Sequence, residues 1–438
     1  MDALQITTAL HATMALAASM HVVLHHPQAR GAALWLIVIW LVPWLGPIFY
    51  VLIGINRIPR RARGLAQNGA PVHQWSEDNE ILPLVGGDEA YGAMLQAIDA
   101  ARTSVHLTTY IFDHDRAGLM FVQAFARAIE RGVTVRVLID DVGSRYSHPP
   151  ITRELKRVGV HVAKFMPTRS IWRWPYANLR NHRKLMIVDD DVGFIGGMNI
   201  REACMASLQP AFPTLDTHFR VRGAVIEDFS GLFSFDWSFA TQEELKLPES
   251  VPTSFGKSEM RLVSGGPDRI DEPIRWHKLT LLVRANQRVR IVTPYFVPDE
   301  DVMTALSAAA SAGVHIQIIM PSVNNLRLVA WASRACWQQL IDRGVEILLA
   351  PPPFEHTKIM LIDDDLAIVG SANWDERSFR LNFEADVEIR DASLTRKLDA
   401  IIDARVGSTS PQTVEDLATW PLWSRLRDGV ARLALPYL

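Results

Sequence analysis

The sequence predicts an α/β fold built from two similar halves, which follow an apolar N-terminal region. The first observation is a repeat: residues 182–199, HRKLMIVDDDVGFIGGMN, return at residues 356–373 as HTKIMLIDDDLAIVGSAN. The His, Lys, Asp, Gly and Asn of the two copies recur at one constant separation, 356 − 182 = 174 residues. The second observation is that helical and strand-like patterns alternate in the same order before each copy. The chain is therefore an internal duplication.

Two apolar segments at the start predict a transmembrane helical hairpin, grouped here as residues 1–63. Residues 31–55 contain no charged side chain and are long enough to cross a hydrocarbon core of about 30 Å. Pro43, Gly46 and Pro47 predict a kink in this helix. Residues 3–24 are a less continuous segment, for which we predict a first membrane helix. A helix lying in the membrane interface is the alternative for residues 3–24.

Arginines on one side of these segments predict how the chain is oriented. Arg57, Arg60, Arg61 and Arg63 follow the second segment, whereas the short connection before it carries only Arg30. Positive residues favour the cytoplasmic side, so we expect the rest of the chain to face the cytoplasm. Residues 64–80 have the polar, Gly- and Pro-containing composition of a linker.

Each half is predicted to contain a helix, a strand, a second helix and a second strand. In the first half, residues 81–245, these elements are 90–101, 104–112, 119–132 and 133–140. In the second half, residues 260–408, they are 272–285, 288–297, 301–313 and 314–320. Residues 246–259 are the predicted connection between the halves.

The C-terminal tail, residues 409–438, is predicted to be amphipathic. Its apolar residues at helical spacing are Trp420, Trp423, Leu426, Val430 and Leu433, and its arginines are Arg425, Arg427 and Arg432. The tail either packs back on the second half or contacts a membrane surface.

Composition argues against several classes of partner. The chain has 45 Lys and Arg residues against 48 Asp and Glu residues, so no basic field of the kind that attracts nucleic acid is present. Cys204 and Cys336 lie far apart and outside any metal-ligand spacing, which indicates neither a disulfide framework nor a zinc site. We expect two buried thiols.

The repeated stretch brings together side chains that suit an anionic ligand. Period-two spacing places His182 and Lys184 on one strand face, and His356 and Lys358 likewise. Small residues near the ends of the returning strands allow a ligand to approach the backbone closely, and the hydroxyl and amide groups there offer donors. The predicted phosphate-binding residues are Asn199, Asn373 and Ser371. Two such sets facing each other would surround a tetrahedral phosphodiester without a metal or cofactor.

Two histidines allow a two-step transfer at phosphorus. One attacks the phosphorus, while the other protonates the leaving oxygen and then deprotonates the incoming acceptor. A carboxylate in register downstream of each copy would orient its own half's histidine, and Asp216 and Glu384 are the candidates. The alternative is that each is an ordinary exposed acid at the end of a strand.

The full pattern resembles the paired signature of the phospholipase D superfamily over roughly residues 80–408. That resemblance implies two phospholipase D-like α/β/α half-domains with the active site between them. Its catalytic residues would be His182, Lys184, Asp189, His356, Lys358 and Asp363. Asp189 and Asp363 follow the strand, so we predict that they hold the turn rather than take part in the chemistry.

Three longer motifs resemble bacterial cardiolipin synthases: GSANWDERSFRLNFE at 370–384, TPYFVPDEDVMTAL at 293–306 and GPIFYVLIG at 46–54. The resemblance implies transfer of a phosphatidyl group from one phosphatidylglycerol to the glycerol of another at the bacterial inner membrane. It implies a multi-pass protein that binds phosphatidylglycerol and other anionic phospholipids. By the same resemblance, His182 would be the nucleophile and His356 the general acid and base.

One departure leaves the choice of acceptor open. Residues 199–220, NIREACMASLQPAFPTLDTHFR, lack the acidic and tyrosine-containing continuation of many cardiolipin synthases. Phosphatidylethanolamine as phosphatidyl donor and another alcohol as acceptor are the alternatives for transfer. Hydrolysis by a membrane-bound phospholipase D, a tethered nuclease and a catalytically inactive lipid-binding scaffold are the alternatives to transfer. Residues 169–180, RSIWRWPYANLR, mix aromatic and Arg residues as suits anionic head groups, or else form a packed loop.

Overall fold

The computed structural model describes residues 3–26, 29–55, 74–167, 179–246, 254–267, 269, 271–407 and 409–433. Contacts divide the chain into two compact units. The first comprises Met1–Gly64 with Pro167–Asn178, and the second comprises Leu65–Met166 with Leu179–Leu438.

The first unit is a helical hairpin. Its helices are α1 (Ala3–His25), α2 (Ala29–Leu41) and α3 (Leu45–Phe49), and a turn of π-helix follows at Tyr50–Gly54. The indole of Trp40 donates a hydrogen bond of 3.0 Å to Ser19, which joins α2 to α1.

The first apolar segment, and not the second, forms the longer apolar helix, which is the reverse of the prediction. Within the described residues one helix is long and apolar enough to cross a membrane, over Gln5–His25, whereas the apolar part of α2 is shorter, Gly31–Leu41. The kink predicted at Pro43, Gly46 and Pro47 is found as a break in the helix, since α2 ends at Leu41 and α3 begins at Leu45. The helix breaks before α3 because Pro43 has no N–H to donate and Trp44 adopts a φ of 65°.

The second unit contains the predicted α/β fold. Its helices in the first half are α4 (Gly86–Ala100), α5 (Arg116–Glu130), α6 (Thr152–Arg157) and α7 (Val225–Thr241). Those in the second half and tail are α8 (Pro273–Arg284), α9 (Glu300–Ser311), α10 (Arg327–Ile341), α11 (Glu376–Arg380), α12 (Ala392–Val406), α13 (Val414–Ala418) and α14 (Leu422–Arg432).

The strands divide in the same way. Those of the first half are β1 (Ser76–Val85), β2 (Ser104–Thr109), β3 (Thr134–Asp140), β4 (His161–Phe165), β5 (Arg180–Asn181), β6 (Leu185–Val188), β7 (Val192–Gly196), β8 (Thr214–Leu215) and β9 (Thr217–Arg222). Those of the second half are β10 (Ser258–Gly265), β11 (Arg288–Val292), β12 (Phe296–Val297), β13 (His315–Pro321), β14 (Glu346–Ala350), β15 (Phe354–Glu355), β16 (Ile359–Ile362), β17 (Leu366–Gly370), β18 (Trp374–Asp375) and β19 (Asn382–Arg390).

One sheet runs through both halves in the order β14-β13-β11-β16-β17-β19-β10-β1-β9-β7-β6-β2-β3-β4. The order of the second half is the mirror of the first, and the antiparallel pair β1 and β10 lies at the centre, where Asn79 is opposite Ser258. The duplication read from the sequence thus appears as a pseudo-two-fold arrangement. The ends of equivalent strands therefore meet at the same junction between the halves.

Local sequence accounts for where equivalent helices start. Asp115 and Asp299 cap α5 and α9, each accepting a hydrogen bond from the backbone N–H three residues later, at 2.8 and 2.9 Å. Phe121 and Phe125 repeat at helical spacing on α5 and are fully buried against the sheet. Each half has a hydrophobic core cluster of its own.

The eight predicted helices and strands are all found, but two boundaries were wrong. Residues 76–80 of the predicted linker belong to β1, and residues 258–259 of the predicted connection belong to β10. The rest of the linker up to residue 73 and residues 247–253 of the connection lie outside the described residues. The repeated strands also start later than predicted, at Leu185 and Ile359, just after each lysine.

Arg183, the second residue of the first repeated motif, links the two halves. Its guanidinium pairs with Asp236 of α7 and donates hydrogen bonds of 3.0 Å to the backbone oxygens of Glu384 and Gly265. The side chains of Arg183 and Asp236 are 3% and 0% exposed. Removing one partner would leave a buried, unpaired charge.

We therefore expect Arg183→Leu to lower the free energy of unfolding by about 3–5 kcal/mol. The matched control is Arg127→Leu, which removes an ion pair with Asp99 in which both side chains are about half exposed, and should cost about 1 kcal/mol or less. Thermal and denaturant unfolding of the two variants tests this. Equal losses would show that Arg183 does not join the halves.

Candidate active site

A cavity of about 910 Å³ opens at the junction of the two halves. Its lining includes His182 and Asn199 from the first half and His356 and Asn373 from the second. The sequence predicted that the two sets would face each other, and the structure brings them to one cavity. Lys184 and Lys358 follow the histidines at buried positions, 2% and 4% exposed.

The backbone of each histidine is held by the opposite half. Strand β5 pairs in parallel with β19, and the N–H of His182 donates to the backbone oxygen of Phe383 at 2.9 Å. Strand β15 pairs in parallel with β8, and the N–H of His356 donates to the backbone oxygen of Leu215 at 2.7 Å. These short strands hold each histidine beside the other half's acidic residue.

The expectation that each acid orients its own half's histidine was wrong. Nδ1 of His182 lies 2.9 and 3.0 Å from the carboxylate oxygens of Glu384, and Nδ1 of His356 lies 2.8 Å from Asp216. The pairs are therefore crossed between the halves. Both carboxylates are fully buried, so neither is the exposed strand-end acid of the alternative interpretation. A hydrogen bond through Nδ1 leaves Nε2 of His182 for the ligand, whereas Nε2 of His356 also lies 3.2 Å from the Lys358 ammonium.

The two carboxylates differ in the donors around them. Glu384 also accepts hydrogen bonds from the Ser371 hydroxyl at 2.6 Å and from the Asn382 amide at 3.1 Å. In the first copy the position of Ser371 is occupied by Gly197, and the Oδ1 atom of Asp216 has no hydrogen-bond partner among the described residues. Ser371 was predicted to bind phosphate, but its hydroxyl is buried and bonded to Glu384 because the carboxylate needs a donor there.

These environments give the two pairs different protonation. Burial would raise the pKa of Glu384, but the charge and hydrogen bond of His182, with Lys184 and Ser371, outweigh it and lower the pKa to about 2. Burial lowers the pKa of His182 to about 4. Burial raises the pKa of Asp216 to about 8, against the opposing charge of Lys358. The raised pKa of Asp216 favours retention of a proton in the Asp216–His356 pair, whereas the lowered pKa of Glu384 favours its ionised form.

The lysines lie directly under the histidines. The ammonium of Lys358 is 3.2 Å from the ring nitrogens of His356, and the ammonium of Lys184 donates to the backbone oxygen of His182. Burial lowers the pKa of Lys184 to about 7 and that of Lys358 to about 8. A bound phosphate would favour the charged form of both lysines.

The two asparagines are fixed in different ways. The Oδ1 atom of Asn199 accepts a hydrogen bond of 3.0 Å from the backbone of Ile111, which orients its amide group. The backbone N–H of Asn373 donates to Ser378, and its Oδ1 atom has no partner among the residues that the structure describes. Both side chains line the cavity and are mostly buried.

Asp189 and Asp363 lie at the turn, away from the cavity lining. Asp189 accepts hydrogen bonds of 2.8–2.9 Å from the backbone N–H groups of Arg102, Thr103 and Ser104. Asp363 accepts equivalent bonds from residues 286–288. Both residues have a φ near 50°, a conformation that Asp tolerates better than most residues. Each thus ties the turn to the loop that precedes a sheet strand.

Two tyrosines of the cavity were missed by the sequence reasoning. The ring of Tyr110 lies edge-on to His182 at 5.3 Å, and that of Tyr295 lies edge-on to His356 at 6.4 Å. Each follows the equivalent strand of its half, β2 or β11. The signal in the sequence is a tyrosine that follows the equivalent strand in each half, in TTYIF and in TPYFV. It is weak because the residues around the two tyrosines differ.

Other predictions concern residues around the site. Residues 169–178 of the predicted aromatic and arginine stretch lie outside the described residues. Arg180 from its end is buried and pairs with Asp140 at 3.3 Å. Cys204 and Cys336 are buried free thiols. In the described part of the chain, no group of three or more His, Cys, Asp or Glu residues is arranged to hold a metal ion.

Comparison with known proteins gives the family. The family model described as cardiolipin synthase, PLD-like domain, matches residues 94–208 and 279–406, which contain both repeated motifs. The chain belongs to this cardiolipin synthase family. A second family model, described as phospholipase D-nuclease N-terminal, matches residues 13–54. Together with the apolar helix α1, this match indicates membrane association.

Individual relatives agree with this assignment. The chain is 31% identical to a cardiolipin synthase of Geobacillus thermodenitrificans over 92% of its length and 88% of the relative's. It is 30% identical to the major cardiolipin synthase of Bacillus subtilis, with 94% of each covered. A phosphatidylserine synthase structure from Haemophilus influenzae aligns with a TM-score of 0.62 at 14% identity, covering 86% of this chain and 100% of that one. That likeness shows the shared fold.

The space around Gly197 provides a test of the crossed pairing. A Cβ atom at Gly197 would lie 2.8 Å from the Asp216 carboxylate and 3.0 Å from the backbone oxygen of His356. We expect Gly197→Ala to displace the Asp216–His356 pair and to lower turnover about 100-fold. The control is Gly92→Ala, where a Cβ atom meets nothing within 4 Å. Turnover of both variants, with a melting curve for each, decides the matter. Unchanged turnover in Gly197→Ala would contradict the geometry.

Proposed function

We propose that the protein synthesises cardiolipin by transferring the phosphatidyl group of one phosphatidylglycerol to the glycerol hydroxyl of another. The observation that carries this proposal is the pair of crossed imidazole–carboxylate contacts at one cavity. A duplicated set of His, Lys and Asn suits a two-step transfer at one phosphorus atom. Membership of the cardiolipin synthase family supports the choice of substrate.

His182 is the proposed nucleophile. Its partner Glu384 stays ionised because several donors surround the carboxylate, so Nδ1 of His182 keeps its proton and Nε2 keeps its lone pair. Nε2 attacks phosphorus, the P–O bond to glycerol breaks, and a phosphatidyl-histidine forms. The pKa of His182, lowered to about 4, keeps this imidazole neutral at physiological pH.

His356 is the proposed general acid and base. The Asp216–His356 contact and the raised pKa of Asp216 favour a pair that carries an additional proton, which it gives to the departing glycerol oxygen. The pair then takes the proton of the acceptor's hydroxyl, and that oxygen attacks phosphorus and releases His182. The proton given to glycerol in the first step is regained from the acceptor in the second, so both histidines return to their starting state.

Lys184 and Lys358 are proposed to neutralise the developing charge on the phosphate oxygens, with the amides of Asn199 and Asn373 as further donors. A buried ammonium stabilises a nearby anion more strongly than an exposed ammonium does, because water screens the interaction less. These roles also fit hydrolysis, in which water replaces the second lipid.

A product analysis separates transfer from hydrolysis. With phosphatidylglycerol as sole lipid, we expect equimolar cardiolipin and glycerol, and we expect His182→Ala to abolish both. Phosphatidic acid as the product would identify a phospholipase D instead. If turnover occurs only after phosphatidylethanolamine is added, the phosphatidyl donor differs from the proposed one but the mechanism is kept. Mass spectrometry of the lipids and assay of free glycerol give the answer.

A substrate with a good leaving group separates the two histidines. Phosphatidyl-p-nitrophenol does not need protonation of its leaving group, so His356→Ala should still release p-nitrophenol once and accumulate a phosphatidyl-protein. The His182→Ala variant should show neither the burst nor the covalent adduct. An adduct in His182→Ala that is absent in His356→Ala would reverse the assignment.

The lowered pKa values of the two lysines predict how kcat/KM for phosphatidylglycerol depends on pH. As the pH rises through about 7 and 8, Lys184 and Lys358 lose their charge in the free enzyme, and kcat/KM for phosphatidylglycerol should fall. Bound phosphate raises both lysine pKa values, so kcat should fall at higher pH than kcat/KM. In Lys184→Arg, whose guanidinium does not titrate here, the fall should begin nearer pH 8. An unshifted profile in that variant would contradict the assignment.

A further inference from the structure

Helix α14 turns its polar side toward the protein and its apolar side away from it. Asp428 is 2% exposed, and its carboxylate pairs with Arg334 of α10 at 2.9 Å. Ala431 is also buried, in one hydrophobic cluster with Val329 and Ala332 of α10. The outward side is an apolar ridge in which every side chain is between 55% and 76% exposed. The ridge consists of Leu422, Trp423, Leu426, Val430 and Leu433.

This orientation is the reverse of the usual one for a helix on a water-soluble surface. Such a helix buries its apolar stripe and leaves its charges in water. Here Asp428 loses its contact with water and needs an ion pair for compensation, while five apolar side chains remain exposed. A contiguous exposed apolar surface of this kind marks a site of interaction.

Arginines flank the apolar ridge. The helix carries Arg425, Arg427 and Arg432, and its single acidic residue is the buried Asp428. Arg427 lies over the ring of Trp331 at 4.6 Å and also pairs with Asp428, which fixes it at one edge of the helix. The local charge is therefore positive in a chain whose net charge is −3. An apolar stripe bordered by arginines suits the surface of an anionic bilayer.

Helix α14, which carries the apolar ridge, packs against α10, whose first turn lines the catalytic cavity. Val329, which packs in one cluster with Ala431, also lines the cavity. Val323 and Leu326, in the segment just before α10, line it too and are exposed. From the first half, Phe212 lines the same cavity and is 86% exposed. Exposed apolar side chains therefore border the cavity on the part of the protein against which α14 packs.

We propose that the apolar ridge inserts into the surface of an anionic phospholipid bilayer and holds the mouth of the catalytic cavity against the lipid. A lipid substrate then reaches the cavity without passing through water. The proposal rests on the proposed function for the identity of the substrate. The flanking arginines and the exposed apolar side chains at the cavity favour a bilayer over a second copy of the chain.

The first experiment locates the ridge directly in the full-length protein. A nitroxide is attached to Trp423→Cys, since the native Cys204 and Cys336 are buried, and the protein is reconstituted into phosphatidylglycerol liposomes. Electron paramagnetic resonance then compares collisions with oxygen, which partitions into lipid, and with a water-soluble nickel chelate. The control label is at Val283→Cys on α8, where the native side chain is 74% exposed.

We expect the label at 423 to collide more with oxygen than with the nickel chelate, and the label at 283 to do the reverse. Access to the nickel chelate at 423 would overturn the proposal, because the ridge would lie in water. Low access to both reagents would also overturn it, because protein would cover the ridge. This readout needs no turnover, so its failure is distinct from failure of the proposed function.

The second experiment tests the consequence for catalysis. The double variant Trp423→Glu, Leu426→Glu should lower kcat/KM in liposomes on the order of tenfold. Its turnover of monomeric dihexanoyl-phosphatidylglycerol, which needs no bilayer, should stay within about twofold of the parent protein. Val283→Glu places the same charge at another exposed apolar position and should leave both rates unchanged. Equal losses on the two substrates in the double variant would contradict the proposal.

Discussion

The crossed hydrogen bonds between imidazole and carboxylate are the constraint on which the architecture of the site depends. Glu384 and Asp216 are fully buried, and a carboxylate without donors would be costly at either position. Among the described residues, each is hydrogen-bonded to the histidine of the other half, at 2.9 and 2.8 Å. The short parallel pairs β5 with β19 and β15 with β8, and the Arg183 guanidinium, hold the same junction. Neither half alone contains a complete site.

Duplication supplies two similar sets of groups, and small side-chain differences then separate their chemistry. Ser371 and Asn382 donate to Glu384, whereas Gly197 leaves Asp216 without an equivalent hydroxyl. The charge and hydrogen bond of His182, with Lys184 and Ser371, lower the pKa of Glu384, whereas burial raises the pKa of Asp216. A transfer reaction in two steps needs such a division, because one histidine must be a free nucleophile while its partner begins as an acid. The symmetric backbone and the asymmetric side chains serve one reaction.

A lipid substrate places a further demand on the protein, since the reacting phosphate lies at the surface of a bilayer. The apolar helix α1 provides for membrane association at the start of the chain. The apolar ridge of α14, which belongs to the second unit, would act on the catalytic part itself. An anchor limits the distance between enzyme and membrane, whereas an inserted ridge would also orient the cavity. The two features are therefore complementary.

The sequence by itself determined the duplication, the α/β class, the eight principal elements and the His and Asn residues that meet at the cavity. These follow from local periodicity and from identical letters at a fixed separation, which do not depend on how the halves dock. Only the tertiary structure decided that each acid serves the other half's histidine, that Ser371 supports Glu384, and that α14 exposes its apolar side. It also brought Tyr110 and Tyr295 beside the histidines. All four depend on contacts between segments distant in sequence, and a repeat looks the same whether its copies pair within a half or across the junction.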